Sequence, residues 1–473
     1  MSVLIKNAEI LSMDDVRGTI KGSLFIEEGK ITRIFPHEQK AGAPVLAAEE
    51  VIDAQWNLLI PGMTNAHYHS YSNLLKGTKS NLPLELWSLY TIAYGLSLDD
   101  EDIYLSVLIG AADMIRSGIT GCVDHFPHLN RAVAALQAYE KSGMHVGFAP
   151  MIQNVSDEEF LGLSDEKNNP VYELDEIRDF YTNLIHNWHL KNEKIQVMLG
   201  PNAPQRCSQE ALKLCKDLSD QYGLEVHTHL LETKIQKDIG DLTFANGVLG
   251  HLDEAGLLNE KLSVAHAVWL DEHEMNRIIE KDVSVVHNPA SNMILGSGIA
   301  PVANYVNRNI SVGLGSDASN CGISHCSFEM MRLSLMMSRV NNRDYENWLQ
   351  PDEVFNMATR SGGHIVKGSK RGKIAEGYNA DLVLVNRKSN TFISKEDLIS
   401  QLVFYEQGQS IKAVMIKGKW VYRENKILAF DEQEIIERIQ ERSGELRRRV
   451  QGALSKVEEK KPVLEEFYHQ FYN

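Results

Sequence analysis

Two histidines spaced by one residue, His67 and His69, follow a short apolar run in Leu59-Ile60-Pro61-Gly62-Met63-Thr64-Asn65-Ala66-His67-Tyr68-His69. Side chains two apart on a strand face the same way, and neutral imidazole is among the commonest ligands of divalent transition metals. The spacing therefore predicts the beginning of a metal site. Later apolar runs also end in polar residues: His227-Thr228-His229 with Glu232 just beyond, Ala265-His266, His287-Asn288, and Gly315-Ser316-Asp317. In a barrel of parallel strands all those ends open onto one face, so residues distant in sequence converge.

The elements that must hold them alternate. Eight strand-length segments end near Ile60, Asp124, Ala149, Gly200, His229, His266, His287 and Asp317. Helix-length segments lie between them, such as Asp102 to Ser117, Arg131 to Ser142 and Ser208 to Tyr222. This is the texture of βα units and predicts an α/β fold, a (β/α)8 TIM barrel over residues 58–370. The two ends read differently. Val3-Ile5, Gly22-Ile26 and Ile31-Ile34 early, then Asp381-Val385, Ala413-Ile416 and Trp420-Tyr422 late, are short strands joined by Gly turns. Neither set is large enough to be stable alone, so residues 1–57 and 371–430 are expected to pair as one small β-sandwich domain. Residues 431–473 are rich in Glu, Arg and Lys with apolar residues at helical intervals, which predicts a C-terminal helical tail on the outside or at an oligomer contact. Residues 161–169 read as a polar loop.

A chain of 473 residues suits one large domain plus a smaller one. Its formal charge of -16 argues against nucleic acid as a partner. No apolar run approaches the roughly 20 residues that span a bilayer, and the N-terminus lacks the build of a secretion signal, so a cytoplasmic protein with no membrane partner is expected. The five cysteines are odd in number and scattered, unlike a disulfide framework.

Taken in order, these motifs resemble the metal-dependent amidohydrolase superfamily, in its branch of heteroaromatic deaminases and triazine hydrolases. Pro61-Gly62 leading into His67-x-His69, His229-x-x-Glu232, Ala265-His266, His287-Asn288-Pro289-Ala290-Ser291-Asn292 and Gly315-Ser316-Asp317 carry the resemblance. So does Gly372 to Val383, similar to the segment with which such enzymes return to their sheet domain. The resemblance implies one divalent metal ion, Zn2+ ahead of Fe2+, held by His67, His69, His229 and Asp317. Three neutral imidazoles and one carboxylate leave a dication with net charge +1, which would acidify a coordinated water. The segment Ile195 to Gly200 offers no lysine for a second metal.

The same resemblance implies catalytic roles for Glu232 as proton shuttle, His266 as the group that orients or deprotonates water, and Asp317 as acceptor of a second proton. It implies hydrolytic deamination of a small N-heteroaromatic substrate, an aminopurine, aminopyrimidine or aminotriazine, by a homodimer or homotetramer. The alternatives are a triazine chlorohydrolase, an S-adenosylhomocysteine/methylthioadenosine deaminase, and a non-catalytic homologue that binds metal or ligand. Trp87, His125 and His325 are candidate substrate contacts, with Tyr90 a further flat surface and His128 on a loop at the same mouth. His227 is expected one layer below His229, and His287 is expected to support the site. Asn288, Ser291 and Asn292 are read as loop caps.

Two departures bear on substrate. Sugar-binding relatives carry Glu directly before the Trp, whereas here Leu86 precedes Trp87 and the only nearby carboxylate is Glu85. His145 stands where relatives have arginine. Both changes point to a smaller substrate, such as a free base.

Overall fold

The computed structural model describes residues 2–37, 47–163, 172–366, 370–394 and 396–472. Most of the loop expected at 161–169 lies outside the described residues. The chain opens with strands β1 (Ser2–Leu11), β2 (Thr19–Glu27), β3 (Lys30–Pro36), β4 (Glu50–Asp53) and β5 (Leu58–Pro61). The parallel strands are β6 (Met63–His69), β7 (Ile119–Phe126), β8 (His145–Ile152), β9 (Ile195–Val197), β10 (Gly200–Pro201), β11 (Val226–Leu230), β12 (Leu262–His266), β13 (Ser284–His287), β14 (Val312–Leu314) and β15 (Asp317–Ala318). The last strands are β16 (Leu382–Val385), β17 (Ile411–Ile416), β18 (Lys419–Arg423) and β19 (Lys426–Ile427).

Strands from both ends form one nine-stranded sheet in the order β19-β18-β17-β16-β5-β1-β2-β3, with β4 beside β1. Val3, Ile5, Leu24 and Ile31 from the early strands share one core with Leu382, Leu384 and Met415 from the late ones. Gly29, at the β2–β3 turn, has φ +78°, and a Cβ there would stand 2.8 Å from the Lys417 carbonyl oxygen at the β17–β18 turn. Only glycine allows that approach.

The apolar run Leu58–Pro61, expected to end the first barrel strand near Ile60, is β5 and belongs to this terminal sheet, paired with β1 and β16. The first parallel strand begins beyond Gly62. A run buried on both faces suits either sheet, so periodicity could not separate the two.

β10-β8-β7-β6-β15 form one parallel sheet, with β9 beside β8, and β11-β12-β13-β14 form another. Hydrogen bonding links their edges: Leu199 bridges to Val226, and Ser316 N–H donates to the His67 carbonyl at 3.1 Å. Helices start and stop where local chemistry dictates. Asp99 and Asp102 form a capping box at Asp100–Arg116, Ser208 caps Gln209–Tyr222, and left-handed Gly143 and Gly223 end their helices.

The C-terminal segment is one helix, Glu432–Tyr472. Arg442 and Arg449 pair with Asp99 and with the buried Asp102, and the Tyr90 hydroxyl donates to Glu458 at 2.8 Å. Tyr90 is thus committed to the tail and offers no surface to a substrate. Leu464 packs with Leu86, Phe160 and Ile235, next to loops that carry the candidate site. Among the described residues no helix is long and apolar enough to cross a membrane.

Candidate active site

The HxH motif owes its geometry to a bulge. Asn65 pairs with Cys122 and Tyr68 with Asp124, so Ala66 and His67 together oppose one residue of β7. Ala66 packs inside with Val123, Ala149, Met198 and Val286. The extra residue lets the neighbouring His67 face inward too, beside His69, His229 and His266. His266 needs a comparable device. Simple alternation would give it the outward face of Val264, but its backbone is left-handed at φ +72°, which turns the ring inward. Asp317 is also left-handed, at φ +61°. Such conformations in non-glycine residues are uncommon and cluster at functional sites.

The expected metal ligands come together. Nitrogens of His67, His69 and His229 lie within 4.8 Å of one another, as do ligand atoms of His67, His266 and Asp317. Asp317 Oδ1 is 3.1 Å from His69 Nε2 and 3.7 Å from His67 Nε2. His69 Nδ1–H donates to the His125 carbonyl at 2.6 Å, and His229 Nδ1–H to the Asn202 carbonyl at 2.6 Å. In their neutral forms both rings therefore present Nε2 lone pairs, and those atoms are 3.3 Å apart. His67 Nε2 is buried without a hydrogen-bond partner among the described residues. Three converging lone pairs beside a carboxylate repel one another unless a cation lies between them, so the donor set fits a divalent metal.

Glu232 is 4% exposed and accepts from Ser297 Oγ at 3.2 Å. Its Oε2 is 3.6 Å from His266 Nε2, which is 3.7 Å from Asp317 Oδ2. Burial pushes the Glu232 carboxyl above its ordinary range, with His266 opposing and Asp317 reinforcing the shift. His266 Nδ1–H donates to Asn292 Oδ1 at 2.9 Å, and Ser291 Oγ–H donates to Asp317 Oδ2. Asn292 and Ser291, read from sequence as loop caps, thus orient two of the candidate catalytic groups. The signal for this was their position directly after the strand end at His287.

The remaining candidates separate. Trp87, on the helix Leu84–Leu96, packs with Leu295, Ala318 and Cys321 beside Asp317. His125 faces inward, 4.7 Å between ring centroids from His229, and is fully buried. His325 has both nitrogens engaged, Nδ1 with Ser316 Oγ at 2.7 Å and Nε2 with Asn73 Oδ1 at 2.9 Å. That ring ties the loop after β15 to the one after β6 and has no nitrogen left for a substrate. His128 is wedged against Tyr71 and Phe126. His287 lies in line with outward Val285, away from inward Val286, so it backs the strand without entering the site.

His145 is a correction. It opens β8, at the end opposite the convergent residues, where its Nε2 lies 3.1 Å from Asp381 beside Arg371. It cannot replace an arginine at the mouth. Glu85 does reach the site region: its Oε1 accepts from Thr233 Oγ1 at 2.7 Å, one residue from Glu232. A cavity lined by Glu85, Gln205, Arg206, Phe160 and Leu464 adjoins it.

The sequence profile of the amidohydrolase family matches residues 58–421. The chain belongs to the amidohydrolase family. This amidohydrolase is 30% identical over 451 residues to a 5'-deoxyadenosine deaminase of Methanosarcina mazei, covering 95% of this chain and 99% of that one. It is 31% identical over 441 residues to a 5-methylthioadenosine/S-adenosylhomocysteine deaminase of Pyrococcus furiosus, covering 92% and 99%. A crystal structure of an adenosine deaminase from Xanthomonas campestris with bound zinc superposes with a TM-score of 0.85 at 22% identity, covering 94% of this chain and 98% of that one. That likeness establishes the fold.

Proposed function

We propose that this amidohydrolase is a hydrolytic deaminase that uses one divalent metal and releases ammonia from an aminated nitrogen heterocycle, with an adenine nucleoside as the favoured substrate. One observation carries the reading: two bare imidazole nitrogens 3.3 Å apart, beside Asp317, with the buried Glu232 and His266 ranged alongside. We read the linked parallel sheets as a closed (β/α)8 barrel over residues 62–370, and the terminal sheet as a β-sandwich from 1–61 and 371–430. The family habit supports a cytoplasmic homodimer or homotetramer acting on a small molecule.

His67, His69, His229 and Asp317 would hold the metal, zinc or ferrous iron, both of which suit nitrogen and oxygen donors. The bound ion supplies Lewis acidity that makes water a nucleophile at neutral pH. The protein's own groups manage the protons. Water oxygen adds to the ring carbon bearing the amine, and Glu232 passes a proton to the adjacent ring nitrogen. Asp317 accepts the water's second proton, Glu232 delivers a proton to the amine, the C–N bond breaks, and ammonia leaves a keto product. Burial suits Glu232 to this shuttle because it lets the carboxyl hold a proton nearer neutrality. His266, its Nδ1–H fixed by Asn292, keeps Nε2 available towards the attacking water.

The nucleoside preference rests on Glu85 and on the named relatives. With His145 at the far end, one of the two arguments for a smaller substrate is withdrawn. The other weakens because the Glu85 carboxylate lies beside Thr233, one residue from Glu232. The test is an ammonia-release screen of metal-replete protein over adenine nucleosides, free aminopurines, aminopyrimidines and aminotriazines, with Glu232→Gln as control. Nucleosides are expected to turn over fastest. Release from none of the four classes would overturn the reading.

A further inference from the structure

His67 differs from the other two imidazoles of the cluster. The rings of His69 and His229 are held by backbone carbonyls, which are always acceptors. His67 Nδ1 instead lies 2.8 Å from His227 Nε2, and His227 Nδ1 lies 2.8 Å from Ser263 Oγ. Ser263 Oγ–H donates to the Val226 carbonyl at 3.2 Å. A hydroxyl has one proton to give, so with it spent on Val226 the Ser263 oxygen accepts from His227 Nδ1–H. His227 then has a bare Nε2 and accepts from His67 Nδ1–H. The chain of donors ends at His67 Nε2, which is left without a proton, buried and unpartnered among the described residues. Reversing the chain would place a proton on that atom, within 3.7 Å of Asp317 Oδ1, and leave no lone pair there for a metal.

We propose that His227 and Ser263 are positioning residues that fix the tautomer of His67, so that its Nε2 is the lone pair offered to the metal. The consequence for affinity rests on the metal reading above, while the tautomer itself does not. Partners of this kind typically change metal affinity about 10- to 100-fold when removed.

The experiment has two arms. In metal-free wild-type protein with 15N-labelled histidine, two-bond correlation spectra, assigned with His67→Gln, should report His67 as the Nδ1–H form. An Nε2–H form would overturn the proposal. In the second arm, metal-free wild type, His227→Leu, His227→Gln and Ser263→Ala are titrated with zinc against a competing chelator, with thermal melting of each metal-free protein as a folding check. Leucine cannot accept from His67, so zinc affinity should fall about 10- to 100-fold. Glutamine keeps an acceptor near the Nε2 position and should recover most of the loss. Equal affinities for Leu and Gln variants that melt like wild type would sink the idea. If wild type takes up no zinc while His67 is the Nδ1–H form, the metal reading fails and the tautomer assignment stands.

Discussion

As neutral imidazoles, His69 and His229 face each other with bare Nε2 lone pairs across 3.3 Å, each ring donating its Nδ1–H to a main-chain carbonyl. Such an arrangement is unfavourable unless a cation relieves it. Stripping metal with a chelator should therefore lower the melting temperature, and adding zinc should restore it. At a free zinc concentration of 100 times Kd the gain is about 2.7 kcal/mol. His229→Ala should bind well under one equivalent by elemental analysis; full occupancy in that variant would remove His229 from the ligand set.

The Glu232 carboxylate lies beside His266 and Ser297, outside the proposed ligand set. Glu232→Gln should keep metal content unchanged and lower kcat by about 100- to 10,000-fold, the range for a positioned acid–base group. Turnover equal to wild type would exclude it as the shuttle.

Burial pushes the Glu85 carboxyl from 4.5 to about 7, partly offset by Thr233. Below the unfolded value both states carry the proton, and stability is fully present. As pH rises towards 7, the unfolded chain ionises first and stability is lost. Relative to wild type, Glu85→Gln should become more stable between pH 4.5 and 7, by no more than about 3 kcal/mol. Urea unfolding of both proteins across that range checks this, and parallel curves would refute the buried acid.

Asp102 is 1% exposed and depends on Arg442 and Arg449 from the C-terminal helix. The Arg442→Ala/Arg449→Ala double variant strands that charge and should cost about 3 kcal/mol. Hydrogen exchange should show residues 432–472 losing protection first. Uniform loss across the chain would mean the helix is not held by these pairs.

His145 stabilises the far end of the parallel strands through Asp381. His145→Gln should lower the melting temperature while leaving kcat/KM within about twofold. A large loss of kcat/KM in folded protein would return His145 to the mouth.

How much of this was legible beforehand depended on locality. Alternation along β11 put His227 and His229 on one face, and helix-length segments such as Asp102 to Ser117 and Ser208 to Tyr222 were readable, because such features need only neighbours in sequence. The terminal strands were readable for the same reason. Leu58–Pro61 was misplaced because a strand buried on both faces has no period that names its sheet.

The chain's residue types and order determined that imidazoles and carboxylates would end successive strands, and with that the family. Tertiary structure decided which of them meet. A bulge at Ala66–His67 and left-handed backbones at His266 and Asp317 overrode alternation. It also sent His325 into a hydrogen-bond hub, His145 to the opposite end, and Glu85 to Thr233. Those outcomes depend on partners as far as 148 to 252 residues away, and no local pattern encodes a partner.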